Sequence, residues 1–340
     1  MNFPLIDDPD AFSLIIPSHN SARFLRRLLS YLRRIEYQGR IHLVDSSTGE
    51  DRAVVERAQV DWPELWLEPF FYPNTLSFPA KLIDALGRIS SPVVMLCADD
   101  DFVVPETLER CVAFLRDHPD HVVARGKSAA FNLNRLQKAG VEGKTQATFT
   151  VQPMHAYPQI ETVERLLAFM RRYSSTFYSV GRRVAMRDAL VATCAVTENI
   201  IFFQYLWSCL TVAQGMVWTT PELLYIRHMR PSSISSVMSR ESYEHWPLLI
   251  TAPDFAAQYA GFRAGLIDWV GSHVSGTDPE VLGKMLDHAS VDLFRRSFCG
   301  QEKWAPDEKR FFSELNRAGS RENAQLRRAL DLAHEHTDTY

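Results

Sequence analysis

Asp99, Asp100 and Asp101 stand side by side directly after the apolar run Pro92-Val-Val-Met-Leu-Cys97. A run of that length, bounded by proline on one side and charge on the other, reads as a buried strand. Carboxylates at the C-terminal end of such a strand lie at the rim of an open α/β sheet, where these folds take their ligands. Neighbouring carboxylates repel one another unless solvent or a cation relieves them. A hard divalent ion, Mg2+ or Mn2+, is the natural partner of clustered oxygen ligands. A solvated acidic turn is the competing reading of the same three residues.

Two other strand ends carry polar sets. Ser18, His19 and Asn20 follow the run Phe12–Pro17, and Asp45, Ser46 and Ser47 follow Ile41–Val44. In a doubly wound sheet these ends converge with Asp99–Asp101 on one crevice. An acid after the second strand accepts hydrogen bonds from a base or ribose, and the later aspartates suit a metal on a diphosphate. A nucleoside diphosphate fits that arrangement. There is no G-x-G-x-x-G after the first strand and no G-x-x-x-x-G-K-[ST] anywhere, so neither a dinucleotide cofactor nor a P-loop is supported. Further on, Arg227, His228 and Arg230, followed by Ser232 and Ser233, suit a loop that faces phosphate. His228 is weighed between a structural residue and a diphosphate or metal contact.

Short strands and helices alternate around these sets. After Ser21, Phe24, Leu25, Leu28, Leu29 and Leu32 recur at helical spacing, with Arg23, Arg26, Arg27, Arg33 and Arg34 assigned to a solvated face. Strands are expected near 65–71 and 121–125, and helices near 50–59, 80–88 and 105–116. The stretch 126–175 is irregular, and a helix covers 184–191. The uncharged segment 199–221 is long enough to span a bilayer. Its polar residues favour a buried helix ending near Gly215, followed by a strand from Met216. Another strand is expected over 221–226. Trp62, Trp66, Phe70, Phe71 and Tyr72 are read as core rather than as a sugar-stacking platform. Helical patterns at 254–270, 280–298, 306–318 and 321–335 form a C-terminal module. The architecture expected is α/β, a mainly parallel sheet flanked by helices, with that helical module behind it.

Composition sets the frame. With 340 residues, 46% hydrophobic and 23% charged, the chain builds a substantial core and is not a disordered segment. A formal charge of −4 offers no bulk attraction to nucleic acid, and none is expected as partner. The cysteines Cys97, Cys111, Cys194, Cys209 and Cys299 are odd in number, lack a C-x-x-C pair and read as small hydrophobes in a reducing compartment. The N-terminal residues carry no signal-peptide pattern, so a cytoplasmic protein is expected, with contact at the inner face of the membrane left open.

The segments Phe12-Ser-Leu-Ile-Ile-Pro-Ser-His-Asn20, Ile41-His-Leu-Val-Asp-Ser-Ser47 and Met95-Leu-Cys-Ala-Asp-Asp-Asp-Phe-Val-Val-Pro105 together resemble glycosyltransferase family 2, with the GT-A fold. They match its "vPtyN" turn, its "vvDdgS" segment and its "DxD" motif, in order and spacing, over about residues 11–235. Lys81, ahead of Asp84-Ala-Leu-Gly87, takes roughly the place of the family's basic "aRNxG" residue. The resemblance implies residues 1–240 as the GT-A domain, with a nucleotide-binding half at 11–125 and an acceptor half at 126–240. Residues 241–340 are left as the helical module, through which self-association is left open.

It also implies an inverting, Mn2+- or Mg2+-dependent enzyme that moves a sugar from a nucleoside diphosphate donor, UDP-sugar, to a hydroxyl of a glycan, lipid-linked or other acceptor. Pro17, Ser18 and Asn20 would line the nucleotide pocket. Asp45 would contact the base, and Ser46, Lys81 and Asp100 would complete the nucleotide set. Asp99 and Asp101 would face ribose and metal with His228, while Arg227, His228 and Arg230 would meet the diphosphate. Counting back from Pro105, the motif could instead fall on Ala98 and Asp100, so its register is open by one residue. Glu198 of Thr197-Glu-Asn199 matches the family's "ED" base, although Asn199 replaces the second acid and cannot take a proton. Asp188 is the alternative base, and a helix-start acid is the structural reading of Glu198. A binding module without catalysis and a sugar nucleotidyltransferase are the other functions considered. The latter needs a basic glycine-rich loop that Pro17–Arg23 does not supply.

Overall fold

The computed structural model describes residues 10–135, 145–152, 154–229, 254–299, 317 and 319–335. Among these residues the sheet has nine strands, and its first half is parallel. β1 (Phe12–Ser18) lies between β2 (Arg40–Asp45) and β4 (Val93–Leu96), and β3 (Leu67–Phe71) lies outside β2. Beyond β4 the sheet turns mixed. β8 (Val180–Arg182) runs antiparallel to both β4 and β6 (His121–Arg135), and β6 runs parallel to β9 (Met216–His228). β5 (Phe102–Val103) closes the far edge against β9, and β7 (Thr145–Gln152) pairs with β6. The α/β class read from the sequence is the one observed.

Strand alternation feeds two cores. Leu14, Ile16, Val93 and Met95 face one side with α1 (Ala22–Arg34), α2 (Gly49–Asp61) and α4 (Pro105–Asp117), while Ile15, Val94 and Leu96 face the other. The second side holds α3 (Phe78–Arg88), α5 (Thr162–Arg171), α6 (Arg183–Cys194) and α7 (Ile200–Ala213). The uncharged segment is therefore helix α7 followed by β9, and no helix among the described residues is long and apolar enough to cross a membrane.

The sequence reading needs correction in the middle of the chain. The stretch expected to be irregular contains most of β6, together with β7 and α5. β6 runs far past Arg125 because β9 continues alongside it with register shifts at Arg125/Lys127. Gly126 permits that approach, since a Cβ there would sit 2.7 Å from the Glu222 carbonyl.

The C-terminal helices divide between the two cores. α8 (Phe255–His273) stacks Phe262 on Tyr205 of α7, and α9 (Pro279–Cys299) lies along α5. α10 (Arg321–Glu335) crosses to the opposite side, where Leu326 and Ala329 join the core that holds α1. Most of the helix expected over 306–318 lies outside the described residues. Of the cysteines, Cys97, Cys111 and Cys209 are buried and free, and Cys194 is half-buried and free.

Candidate active site

Ser18 and Asp45 are opposite one another at the ends of β1 and β2, and Asp45 is opposite Phe71 on β3. The turns beyond them are sewn together by short hydrogen bonds. The Asn20 amide donates to Ser47 Oγ at 2.9 Å, and the Thr48 amide donates to Asn20 Oδ1 at 3.0 Å. Asn20 manages this in the left-handed region, at φ 48°, which asparagine tolerates better than most residues. Its side chain is thus a brace between two loops at an exposed rim, next to half-buried Pro17.

Lys81 rises from α3 into the same crevice and is buried. Its ammonium donates to the Ser18 carbonyl at 3.1 Å and to Ser46 Oγ at 2.8 Å. Burial pushes its pKa down, and the fields of Asp45 and Asp99 oppose that fall. One cation therefore touches the first two strand ends and lies in the field of the third.

Asp45 is wholly buried. Its Oδ1 accepts from Ser47 Oγ at 2.6 Å, while Oδ2 has no hydrogen bond and faces Arg52 at 3.5 Å. Burial pushes its carboxyl pKa up, against the Ser47 hydrogen bonds and the charges of Arg52 and Lys81. The Arg52 guanidinium lies 3.8 Å from the ring centre of Phe71. Trp62, Phe70 and Tyr72 are buried as expected, but Trp66 and Phe71 are exposed, each beneath an arginine. Phe71 ends outermost β3 and Trp66 immediately precedes it, both at the open edge of the sheet.

The three aspartates occupy three different environments. Asp99 accepts a hydrogen bond from Ser21, whose hydroxyl crosses to it instead of capping α1. Asp101 is buried against β9, accepting from the Tyr225 hydroxyl at 2.5 Å and from the His228 amide at 2.7 Å. Burial and the neighbouring Asp100 push its pKa up to about 8, while Tyr225, Arg227 and the His228 amide pull it down. The Tyr225 hydroxyl also accepts from the Ala98 amide at 3.1 Å, so one side chain ties both ends of the acidic turn to β9. Asp100 lies between the other two and is as buried as Asp99.

Arg227 stands near this group. Burial works against its charge, but Tyr178, Asp101 and Tyr225 outweigh burial, so its pKa is pushed up. His228 is buried, with its ring stacked on Phe131 at 4.7 Å. Arg230 lies outside the described residues.

The arginines of α1 do not share one face. Arg23, Arg26, Arg33 and Arg34 are exposed as expected, whereas Arg27 is buried. Its guanidinium contacts His228 Nδ1 at 3.2 Å from both terminal nitrogens and donates to the Asp100 carbonyl at 2.5 Å. Sequence reading missed Arg27, although its spacing shows the place: three residues after Phe24 and four before Tyr31, on the buried stripe. Ser21, Arg52 and the Tyr225 hydroxyl were missed as well, because nothing local marks their long-range partners.

Glu198 is exposed just ahead of α7, and its carboxylate makes no hydrogen bond or ion pair among the described residues. Asn199 is the cap of that helix, accepting from the Ile201 and Phe202 amides at 3.1 and 3.2 Å. Asp188 is also exposed, 3.8 Å from Arg187 on α6.

No group of three or more His, Cys, Asp or Glu side chains among the described residues is arranged to hold a metal ion. The donor set at the acidic turn is nonetheless of the hard-oxygen kind. Asp101 gives its two oxygens to β9, and Asp99 and Asp100 are the other carboxylates that could meet a cation there.

The family model described as "Glycosyltransferase like family 2" matches residues 9–233. No curated protein matches the chain. Among solved structures, the crystal structure of S. aureus TarS is 16% identical with a TM-score of 0.46, over 84% of this chain and 54% of that one. The chain thus spans about half the length of TarS. TarS 1–349 in complex with UDP-GlcNAc is 15% identical, with a TM-score of 0.47 over 84% of this chain and 88% of that one. Mannosyltransferase PcManGT from Pyrobaculum calidifontis, in complex with GDP-Man and Mn2+, is 13% identical, with a TM-score of 0.43 over 99% of this chain and 90% of that one.

Proposed function

The chain belongs to glycosyltransferase family 2 and is an enzyme of glycosyl transfer; from that premise we propose that it moves a sugar from a UDP-sugar to an acceptor hydroxyl with inversion. The observation that carries the donor assignment is the buried Oδ2 of Asp45, which lacks a hydrogen bond. A buried acceptor left unmade is costly, and a ligand N–H satisfies it. Uracil presents that N–H at N3, and guanine presents one at N1. The corresponding nitrogens of cytosine and adenine are acceptors, which Asp45 would repel. Between uracil and guanine, the resemblance of the strand-end motifs to the family favours UDP.

In this reading the ribose and diphosphate run from Asp45 past Lys81 toward Asp99 and Asp100. Lys81 and Arg227 supply positive charge around the phosphates. Mn2+ or Mg2+ held by Asp99 and Asp100 would neutralise charge on the departing diphosphate. Asp101 serves as a strut that fixes the acidic turn to β9, rather than as the metal ligand the family resemblance implied. Glu198, exposed at the start of α7, takes the proton of the acceptor hydroxyl as that oxygen attacks the anomeric carbon. The bond to the diphosphate breaks, and the diphosphate leaves with the bonding pair.

Calorimetry with UDP, GDP, CDP and ADP tests the assignment. UDP should bind at least about tenfold tighter than CDP or ADP, a difference of about 1.4 kcal/mol. EDTA should weaken UDP binding while sparing uridine. Equal affinity for CDP removes the Asp45 argument, and indifference to EDTA removes the cation from Asp99 and Asp100.

A further inference from the structure

We propose that Arg27 is a positioning residue that fixes the proton of His228 on Nε2, making His228 a hydrogen-bond donor to the donor diphosphate rather than a cation ligand. This rests on the nucleoside diphosphate reading above.

The polarity of the contact decides the tautomer. A guanidinium has donors only. Both terminal nitrogens of Arg27 lie 3.2 Å from His228 Nδ1, so Nδ1 must offer its lone pair. The ring proton then sits on Nε2. A nitrogen that carries a proton cannot bind a cation, but it can donate to an anionic oxygen.

Arg27 is itself held in place. It is 1% exposed, lies near the rings of Phe24 and Phe102, and donates to the Asp100 carbonyl. The His228 ring is fixed independently by stacking on Phe131 at an interplanar angle of 8°. Its main-chain amide meanwhile bonds Asp101. One buried cation thus holds two groups, the backbone of the acidic turn and the imidazole at the end of β9.

The direct test is a long-range proton–nitrogen NMR spectrum of the full chain with nitrogen-labelled histidine, His228 being assigned by its loss in His228→Gln. The expected pattern is an unprotonated Nδ1 and a protonated Nε2, unchanged when Mg2+ and UDP are added. Arg27→Met should release that pattern and lower UDP affinity about tenfold, with uridine affinity held. Arg27→Lys, which retains a donor, should recover most of the loss.

A proton on Nδ1 in the native protein overturns the proposal, as does an Nε2 that loses its proton to Mg2+–UDP. Unchanged UDP affinity in a folded Arg27→Met overturns it too. If Arg27→Met does not fold, the native spectra alone decide. If UDP fails to bind the native protein, the donor reading falls, and the tautomer is still read from the free chain.

Discussion

At the scale of single residues, the site is governed by which polar atoms are already committed. Asp101 is committed to Tyr225 and His228, Asp99 to Ser21, and Asn199 to the start of α7. Glu198 is exposed beside that last commitment, and the proposed mechanism gives it the acceptor proton. Glu198→Gln keeps the size of the side chain but removes its capacity to take a proton. Turnover with the true acceptor should fall roughly 10²–10⁴-fold while UDP affinity changes little. The comparison needs turnover per folded protein beside a donor titration. Retention of more than about a tenth of native turnover would move the proton acceptor to another carboxylate.

At the scale of elements, the parallel half of the sheet carries a buried polar stitch. His42 on β2 has Nε2 at 3.1 Å from Ser13 Oγ on β1, and Ser13 Oγ lies 2.8 Å from Ser91 Oγ ahead of β4. Burial lowers the His42 pKa from 6.5 to about 4, despite Glu68 lying 3.4 Å from Nδ1. Below pH 6.5 the unfolded chain takes up a proton that the folded chain refuses until about pH 4. Stability should therefore fall as pH drops through that window, and level off below it. The contribution is on the order of 1–3 kcal/mol. His42→Gln keeps the polarity without the titration, so native minus variant stability, from urea melts at several pH values, should shrink from pH 6.5 to 4. A difference independent of pH would show that His42 titrates alike in both states.

At the scale of the whole molecule, the C-terminal helices belong to both cores. α8 covers Phe202 and Tyr205 of α7, with ring centres 5.6 and 4.7 Å from Phe262. α10 lies over α1 and β9, the two elements that carry Arg27 and His228. A chain ending near residue 253 should therefore be aggregated or poorly soluble, because large aromatic and aliphatic surfaces on both sides of the sheet lose their cover. Light scattering and UDP titration check this. A monodisperse truncation with native UDP affinity would make these helices dispensable for the site.

Periodicity, strand-end chemistry and motif order were enough to place β1, β2, β4, α1, α3, α4 and α7, and to collect Ser18, Asp45, Lys81 and Asp99–Asp101 as one crevice. Those signals are local, because a buried strand must be apolar and a ligand at a sheet rim must be met by the residues that end the strands. The extent of β6 was not legible, since its length is set by β9 beside it and by the small Gly126 between them. The division of labour among Asp99, Asp100 and Asp101 was hidden as well. Three identical side chains differ only in what the fold brings to them: Ser21 from just ahead of α1, Tyr225 and the His228 amide from β9. Arg27 is the sharpest case. Its charge suggested solvent, but tertiary packing brought it an imidazole, a carbonyl and two aromatic rings more than seventy residues away or one turn along the helix, and these partners hold the charge inside.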